Sequence, residues 1–301
     1  MTFERPHEKT MGGEKTMAHP LSDALQWHID NGVDMAIADA PINRLVPVVA
    51  KASEMSVKTA DAPVSGVTAT APPTLVVASG SFNTQRQKAV DAAKSANTLE
   101  ALADAIRAYD GLDVKRTATN LVFADGLAGA RVMVIGEAPG ADEDRQGLPF
   151  VGVIGQLLDK MFDCIGLSRK STDTATGLYI SNILNWRPPG NRTPTEAEIA
   201  LALPFIERHI ALVRPQYIVL AGAVAAKGLL NMDQSISRLR GKFYDYVPQT
   251  AGIADGLDVS PGPIKVLPTY HPSFLLRTPL QKRKAWQDLL TLAKALQSQT
   301  R

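Results

Sequence analysis

The sequence contains a single cysteine, Cys164, among 301 residues. One thiol cannot form an internal disulfide, and it cannot supply an iron–sulfur cluster or an all-cysteine metal site within one chain. Cys164 lies in the apolar, helix-like stretch MFDCIGL, so we expect a buried and unreactive thiol. Such cysteine usage is typical of a reducing compartment, and we expect a cytoplasmic protein.

Long apolar runs and common cofactor motifs are also missing. No stretch approaches the roughly 18 apolar residues of a membrane span, and residues 1–18 lack the apolar core of a signal peptide. The patterns GxxxxGK with Ser or Thr, GxGxxG and HExxH do not occur. The net charge of +2 does not by itself indicate a nucleic-acid partner. We therefore predict no P-loop, no dinucleotide site and no metal site.

Composition divides the chain into three parts. We predict an N-terminal extension with short helices at residues 1–51 and a compact domain at residues 86–301. Residues 52–85 are rich in Ala, Ser, Thr and Pro, a composition that buries little apolar surface, so they are predicted to be a linker.

Strand-like and helix-like segments alternate within the compact domain. Apolar runs predict four strands, at residues 131–135, 177–184, 216–221 and 264–267. Periodic segments predict helices at residues 85–109, 153–165, 193–213, 223–230 and 280–296. This alternation predicts an α/β fold with three layers, in which helices cover both faces of a central four-stranded parallel sheet.

Polar residues follow three of these strands. Glu137 lies in the glycine-rich segment GEAPG directly after the first strand, Asn182 ends the second, and His271 follows the fourth. The carboxyl ends of parallel strands share one edge of a sheet, where α/β folds bind ligands. A tight turn with solvated acids explains GEAPG equally well when it is considered alone, and a strand-end histidine is more often structural.

The segment HPSFLLR, residues 271–277, combines a histidine, apolar side chains and an arginine on what we predict to be a loop. Its apolar residues either pack under the closing helix or act as a wedge inserted between bases. From His271 onward the chain has six basic residues and one acidic residue, which is compatible with a surface that follows phosphates.

Three segments together resemble the family 4 uracil-DNA glycosylases: GEAPGADEDRQGLPFVGVIGQLLD, YISNILNWRPPGNRTPTEAEI and HPSFLLR. The resemblance covers residues 109–296 and implies a uracil-DNA glycosylase-like catalytic domain that acts on uracil-containing DNA and leaves abasic DNA. It also implies a monofunctional hydrolase of base excision repair that flips its target base. We further expect a bacterial-type, nucleoid-associated monomer that does not contact membranes.

The resemblance implies a role for each matching residue. Glu137 activates water, Asn182 reads the pairing edge of uracil, and His271 donates a hydrogen bond to the uracil O2. Phe150 stacks on the base, and the backbone N–H of Ala138 assists at the same oxygen. The predicted DNA-contacting or wedge residues are Ser273, Leu275, Leu276 and Arg277, and the predicted supporting residues are Gly136, Gly140, Glu143 and Asn191.

One departure from the family pattern is large. Family 4 members resemble one another in holding a four-iron–four-sulfur cluster with four cysteines. The corresponding positions here are predicted to be Tyr109, Leu112, Trp186 and Ala202, none of which is a cysteine. We therefore predict that the protein has no cluster and no cofactor, and that apolar packing replaces it.

Two other functions stay open on the sequence. The chain could instead be a DNA-binding protein that recognises uracil or abasic sites with little or no turnover. It could also be a helper that binds another protein through its N-terminal region.

Overall fold

The computed structural model describes residues 76–257 and 263–298, with side chains described from residue 81. The predicted extension and most of the predicted linker lie outside these residues. The linker prediction ends at residue 85, whereas a helix already begins at Val76.

A six-stranded sheet forms the centre of the described fold. Its strands are β1 (Asp125–Gly126), β2 (Val132–Gly136), β3 (Leu178–Asn182), β4 (Tyr217–Ala221), β5 (Tyr244–Asp245) and β6 (Lys265–Thr269), in the order β1-β3-β2-β4-β6-β5. The four inner strands pair in parallel, and the two-residue edge strands pair antiparallel. The predicted α/β class is confirmed, but the predicted count of four strands is wrong because edge strands of two residues have no detectable period.

Helices precede, separate and follow these strands along the chain. They are α1 (Val76–Ser95), α2 (Leu99–Ala108), α3 (Ala141–Gln146), α4 (Gly152–Asp163), α5 (Glu196–Val213), α6 (Ala223–Leu230), α7 (Ile236–Leu239), α8 (Pro272–Arg277) and α9 (Lys282–Ser298). Among the described residues, no helix combines the length and the apolar character needed to cross a membrane.

Strand β2 shows why the sheet is covered on both faces. Its five residues are all buried, so it lacks the polar alternation of a strand with one wet face. Met133 and Ile135 join a hydrophobic cluster that also holds residues of α1, α2, α5 and α6. Val132 and Val134 point the other way, into a cluster with residues of α4 and α9. Two helical layers therefore enclose the sheet.

The first predicted helix is in fact two helices. The alanine-rich pattern over residues 85–109 predicts one continuous helix, but the chain breaks between Ser95 and Leu99. Thr98 is in an extended conformation, and its side chain accepts a hydrogen bond from the backbone N–H of Ala101 at 3.1 Å. A threonine that caps a new helix outweighs the helical preference of the neighbouring alanines.

The segment after β6 also differs from its prediction. It was expected to be a loop, but Pro272–Arg277 form the short helix α8. His271 is its N-cap residue, and Pro272 occupies the first turn, where the missing N–H of proline costs nothing. This helix determines which apolar residues of the segment face inward.

Candidate active site

The carboxyl ends of β2 and β3 lie side by side, and that of β6 reaches the same edge of the sheet. Gly136, which ends β2, pairs with Asn182, which ends β3. Strand β4 lies between β2 and β6 and pairs with both. Glu137 and His271 follow these strands and line one cavity of about 450 Å³. Two predicted catalytic residues therefore share a cavity, and the third ends a strand beside it.

Most of the predicted site residues line this cavity, namely Glu137, Ala138, Gly140, Glu143, Asn191, His271, Ser273 and Arg277. Phe150 and Asn182 do not line it and are 2% and 1% exposed. Because both side chains are almost fully buried, a base can contact them only if neighbouring side chains move.

Gly136 brings Phe150 and Asn182 together. A Cβ atom at Gly136 would lie 2.3 Å from Oδ1 of Asn182 and 2.6 Å from Cζ of Phe150. Those distances are far below van der Waals contact, so any side chain at this position would displace the amide, the ring or both. Gly136 thus lets an aromatic ring and an amide approach one point of the backbone.

The amide of Asn182 has an unused donor. Its Nδ2 is buried and has no hydrogen-bond partner within the described part of the chain. A buried donor without a partner costs about 1–3 kcal/mol, and such groups are rare in folded proteins. A ligand that accepts a hydrogen bond at this point would remove that cost.

Phe150 has an uncommon backbone conformation, with φ at 50°. Its N–H donates to the carboxylate of Glu143, which also accepts from the N–H of Gly140 at 2.5 Å. Burial raises the pKa of Glu143, whereas these two N–H bonds lower it. The ring of Phe150 lies 5.4 Å from that of His271, centre to centre, with the planes tilted by 32°. Glu143 therefore links the glycine-rich turn to the aromatic ring.

His271 is held in one tautomer by α8. Its Nδ1 accepts from the backbone N–H of Ser273 at 3.1 Å and lies 2.8 Å from the Ser273 hydroxyl. Burial, helped by the charge of Arg277, lowers the pKa of His271 to about 4. The imidazole is therefore neutral at neutral pH, and its proton is on Nε2 because Nδ1 acts as an acceptor. Nε2–H can donate to a ligand.

Glu137 is half-buried at the end of β2. Burial raises the pKa of its carboxyl group, and a hydrogen bond from the side chain of Thr193 acts in the opposite direction. The backbone of Glu137 is fixed as well, because its carbonyl accepts from the N–H of Leu184 at 3.1 Å. The site thus places the carboxyl group of Glu137 and a neutral imidazole on one cavity, a combination that can handle water and stabilise a developing anion.

The predicted wedge residues do not share one environment. Leu275 has no exposed surface and packs with Tyr270 and Ala285, so it does not reach the surface at which a wedge would meet DNA. The structure instead supports the alternative, packing under the closing helix. Leu276 is 37% exposed, and Arg277 lines the cavity.

Comparison with known proteins agrees with this geometry. A sequence profile of the Uracil DNA glycosylase superfamily matches residues 123–290, a range that holds Glu137, Asn182 and His271. The chain belongs to this superfamily.

Several relatives of this chain are named type-4 uracil-DNA glycosylase. One from Saccharolobus solfataricus is 34% identical over 207 residues, which cover 67% of this chain and 88% of the relative. One from Pyrobaculum aerophilum is 31% identical, covering 64% of this chain and 91% of the relative. One from Archaeoglobus fulgidus is 36% identical, covering 58% and 81%. The predicted similarity to family 4 is confirmed.

The positions predicted to match the cluster ligands of family 4 glycosylases lie in one apolar cluster, and all are less than 8% exposed: Tyr109, Leu112, Trp186 and Ala202. The ring of Tyr109 packs 5.2 Å from that of Phe205, and its hydroxyl donates to the carbonyl of Gln85 at 3.0 Å. None of the four offers a thiolate. These residues therefore do not fit an iron–sulfur cluster.

Cys164 does not replace the missing cysteine ligands of the cluster. It lies at the end of α4 and is exposed, so the expectation of a buried thiol is wrong. The sequence pattern places residue 164 on the apolar side of α4. The helix ends before it, however, and the side chain is exposed to solvent. Among the described residues, no group of three or more His, Cys, Asp or Glu side chains could hold a metal ion.

Two residues that support this glycosylase-like site are not among the site residues that the sequence predicts. Thr193 bonds to Glu137 but lies in a segment interpreted as the start of a helix. Arg169 lies in the polar stretch SRKSTDTATG, and its guanidinium donates to the carbonyl of Phe150 at 3.0 Å. Contacts between residues so far apart in sequence become visible only in the folded chain. Asn191, in contrast, was predicted, and its Oδ1 accepts from Arg187 at 2.7 Å.

Proposed function

We propose that this protein is a monofunctional uracil-DNA glycosylase. It hydrolyses the N-glycosidic bond of deoxyuridine in DNA, releases uracil and leaves an abasic site. The observation that carries the proposal is the arrangement at Gly136, where an aromatic ring and an amide with an unpaired donor meet beside Glu137 and His271. The membership of the superfamily and the type-4 relatives support the same activity.

Recognition of uracil is assigned to Asn182 and Phe150. Uracil presents an N–H donor at N3 and an acceptor at O4, and a single carboxamide offers the matching acceptor and donor. Cytosine presents the reverse pattern, so it would leave both amide groups of Asn182 unpaired. Phe150 would stack on the flipped base. The buried, unpaired Nδ2 of Asn182 supports this assignment.

The chemical step is assigned to Glu137 and His271. The bond from C1′ to the base N1 breaks, and its electron pair moves onto the uracil ring. The Nε2–H of His271 donates to O2 as negative charge develops there, with help from the backbone N–H of Ala138. Glu137 as a carboxylate orients the water that attacks C1′, accepts its proton and stabilises positive charge on the sugar.

Contacts with DNA are assigned to the rim of the cavity. Ser273 and Arg277 line the cavity, and Leu276 is exposed on the same short helix. Leu276 would fill the gap left by the flipped nucleotide, as apolar wedges do elsewhere. Leu275 is not part of this assignment because it is buried.

We also propose that the protein works without an iron–sulfur cluster. The support is the apolar environment of Tyr109, Leu112, Trp186 and Ala202, together with a single exposed cysteine. Burial of one large apolar side chain contributes roughly 1.5–3 kcal/mol, so the packed residues offset part of the lost metal–ligand stabilisation. We expect purified protein to be colourless and free of stoichiometric iron. Four irons per chain with a brown colour would contradict this.

The test of the proposed function is release of uracil from a labelled oligonucleotide, followed by alkaline cleavage of abasic sites. We expect strand cleavage only with uracil-containing DNA, and losses of about 10²–10³-fold in single-turnover rate for Glu137→Gln and His271→Ala, with DNA affinity nearly unchanged. No cleavage above the control, combined with tight binding to abasic DNA, would favour a binding protein with little turnover.

We expect a monomer that acts in the cytoplasm on nucleoid DNA, with its catalytic domain at residues 86–301 preceded by an extension and a linker. A helper function for the N-terminal region predicts that deletion of residues 1–75, which ends before α1, abolishes function in cells but leaves uracil release in vitro intact.

A further inference from the structure

Phe150 occupies a backbone conformation that its residue type disfavours. Its φ of 50° lies in the left-handed region, where Cβ crowds the backbone and which non-glycine residues seldom adopt. The side chain is only 2% exposed, and its ring touches the space above Gly136. A conformation of this kind persists only where the surroundings fix it.

Three neighbours fix this residue. Glu143 accepts the backbone N–H of Phe150, and Arg169 donates from Nη2 to its carbonyl oxygen at 3.0 Å. The same guanidinium donates from Nη1 to the carbonyl of Pro149 at 3.1 Å. Gly155 leaves the space for the Phe150 carbonyl, because a Cβ at residue 155 would lie 1.8 Å from that oxygen.

Arg169 is itself held rigidly, and its side chain is 8% exposed. Its Nε donates to Asp159 at 2.7 Å, and its Nη1 also donates to Asp125 at 2.9 Å. Asp159 belongs to α4 and Asp125 to the edge strand β1, so the guanidinium joins two elements to the turn at residues 149–150. The planar fork of arginine reaches both carbonyls and both carboxylates at once. A lysine ammonium has no such geometry.

We infer that Arg169 is a positioning residue for base recognition. By fixing the Pro149 and Phe150 carbonyls, it sets the angle at which the Phe150 ring is presented beside His271 and Asn182. The inference rests on the proposed role of Phe150 in stacking on uracil. Arg169 does not touch the base, so its effect passes through the ring.

The experiment compares Arg169→Lys and Arg169→Gln with a matched control, Lys170→Gln, which removes a neighbouring exposed charge. We measure kcat/KM on a uracil oligonucleotide, inhibition by free uracil, affinity for abasic DNA and the melting temperature. Base stacking on an aromatic side chain supports an expected loss of about tenfold in kcat/KM and in uracil affinity for both Arg169 variants. Abasic DNA affinity stays within about twofold, since that product lacks the base, and Lys170→Gln stays within about twofold throughout.

A double-variant cycle separates positioning from stability. In a Phe150→Leu background, Arg169→Lys causes less than about twofold further loss, because the ring through which it acts is gone. Unchanged uracil affinity in Arg169→Lys, or an equal loss with and without Phe150, would overturn the inference. Parallel losses of uracil and abasic DNA affinity with a lowered melting temperature would also overturn it. A wild-type protein that releases no uracil would instead overturn the proposed function.

Discussion

Burial favours the neutral form of both His271 and Glu137, and this has different consequences for the reaction at the two residues. Burial lowers the pKa of His271 to about 4, which keeps the imidazole neutral and suits a hydrogen-bond donor. Burial raises the pKa of Glu137, which opposes the carboxylate form that water activation needs. The Thr193 side chain favours the carboxylate. The protonation states of the site therefore depend on these individual contacts.

The pH dependence of the reaction follows from the raised pKa of Glu137. Activity is lost as pH falls through that pKa, at a higher pH than for an ordinary glutamate of about 4.3. Thr193→Val removes a hydrogen bond that lowers the pKa of Glu137, so the acidic limb of the kcat/KM profile moves to higher pH. Thr172→Val, at an exposed loop position, serves as the control. An acidic limb that stays in place in Thr193→Val would contradict the role of the threonine.

Selectivity for uracil is assigned in our proposal to the Asn182 amide. In Asn182→Asp, the carboxyl group offers acceptors to the amino group of cytosine, so we expect cytosine release to rise relative to uracil release. Asn182→Ala is the matched variant, and it should lose uracil release by about 10²-fold without gaining cytosine release. Product release from two oligonucleotides that differ only in the target base measures the ratio. An unchanged ratio in Asn182→Asp would exclude edge recognition by this residue.

The helix α8 determines what the segment after β6 can do. His271 caps the helix and is thereby oriented, while consecutive positions of the helix place Leu275 inward and Leu276 and Arg277 outward. A loop would impose no such division. Helix α8 thus has one side packed in the core and another side beside the cavity.

Two substitutions in α8 should differ in their effects, one lowering the stability of the fold and the other lowering activity on DNA. Leu275→Ala removes a fully buried side chain and should lower the free energy of unfolding by about 2–5 kcal/mol. Leu276→Ala should leave stability within about 0.5 kcal/mol but lower activity on double-stranded DNA more than on single-stranded DNA. Urea denaturation and the ratio of the two activities measure these effects. A stability loss in Leu276→Ala equal to that in Leu275→Ala would argue against a wedge.

At the scale of the whole molecule, the net charge is only +2, but exposed positive charge is clustered at one helix end. Lys282, Arg283 and Lys284 are exposed at the start of α9, which four residues separate from the end of α8. The acidic residue of this segment, Asp288, is buried and paired with Arg240 at 2.6 Å, so it does not oppose the surface charge. The surface at the start of α9 is therefore more basic than the net charge of the chain indicates.

The salt dependence of DNA binding tests this surface. We expect Lys282→Gln with Lys284→Gln to weaken binding equally for all DNA sequences and to reduce the slope of log affinity against log salt by about 2. Lys88→Gln with Lys94→Gln, on the exposed side of α1, removes the same charge elsewhere and should leave the slope unchanged. Equal slopes for the two double variants would show that the start of α9 does not contact phosphates.

Much of the fold follows from local patterns, and the exceptions have physical causes. The inner strands and α5 lie within about three residues of their predicted bounds, because each is a buried run or a periodic segment with clear caps. Thr98 interrupts an alanine-rich helix through a hydrogen bond that composition does not reveal. The two edge strands are too short to have a pattern, and their pairing depends on neighbours far away in the chain.

The sequence by itself determined the α/β class and the three motifs, and it singled out Glu137, Asn182 and His271 as the proposed chemical groups, since these depend on residue type and order. Only the tertiary structure decided the tautomer of His271, the burial of Leu275, the exposure of Cys164 and the contact of Arg169 with Phe150. Each of these depends on distances between residues that the fold brings together, and burial and hydrogen-bond geometry exist only after that packing has formed.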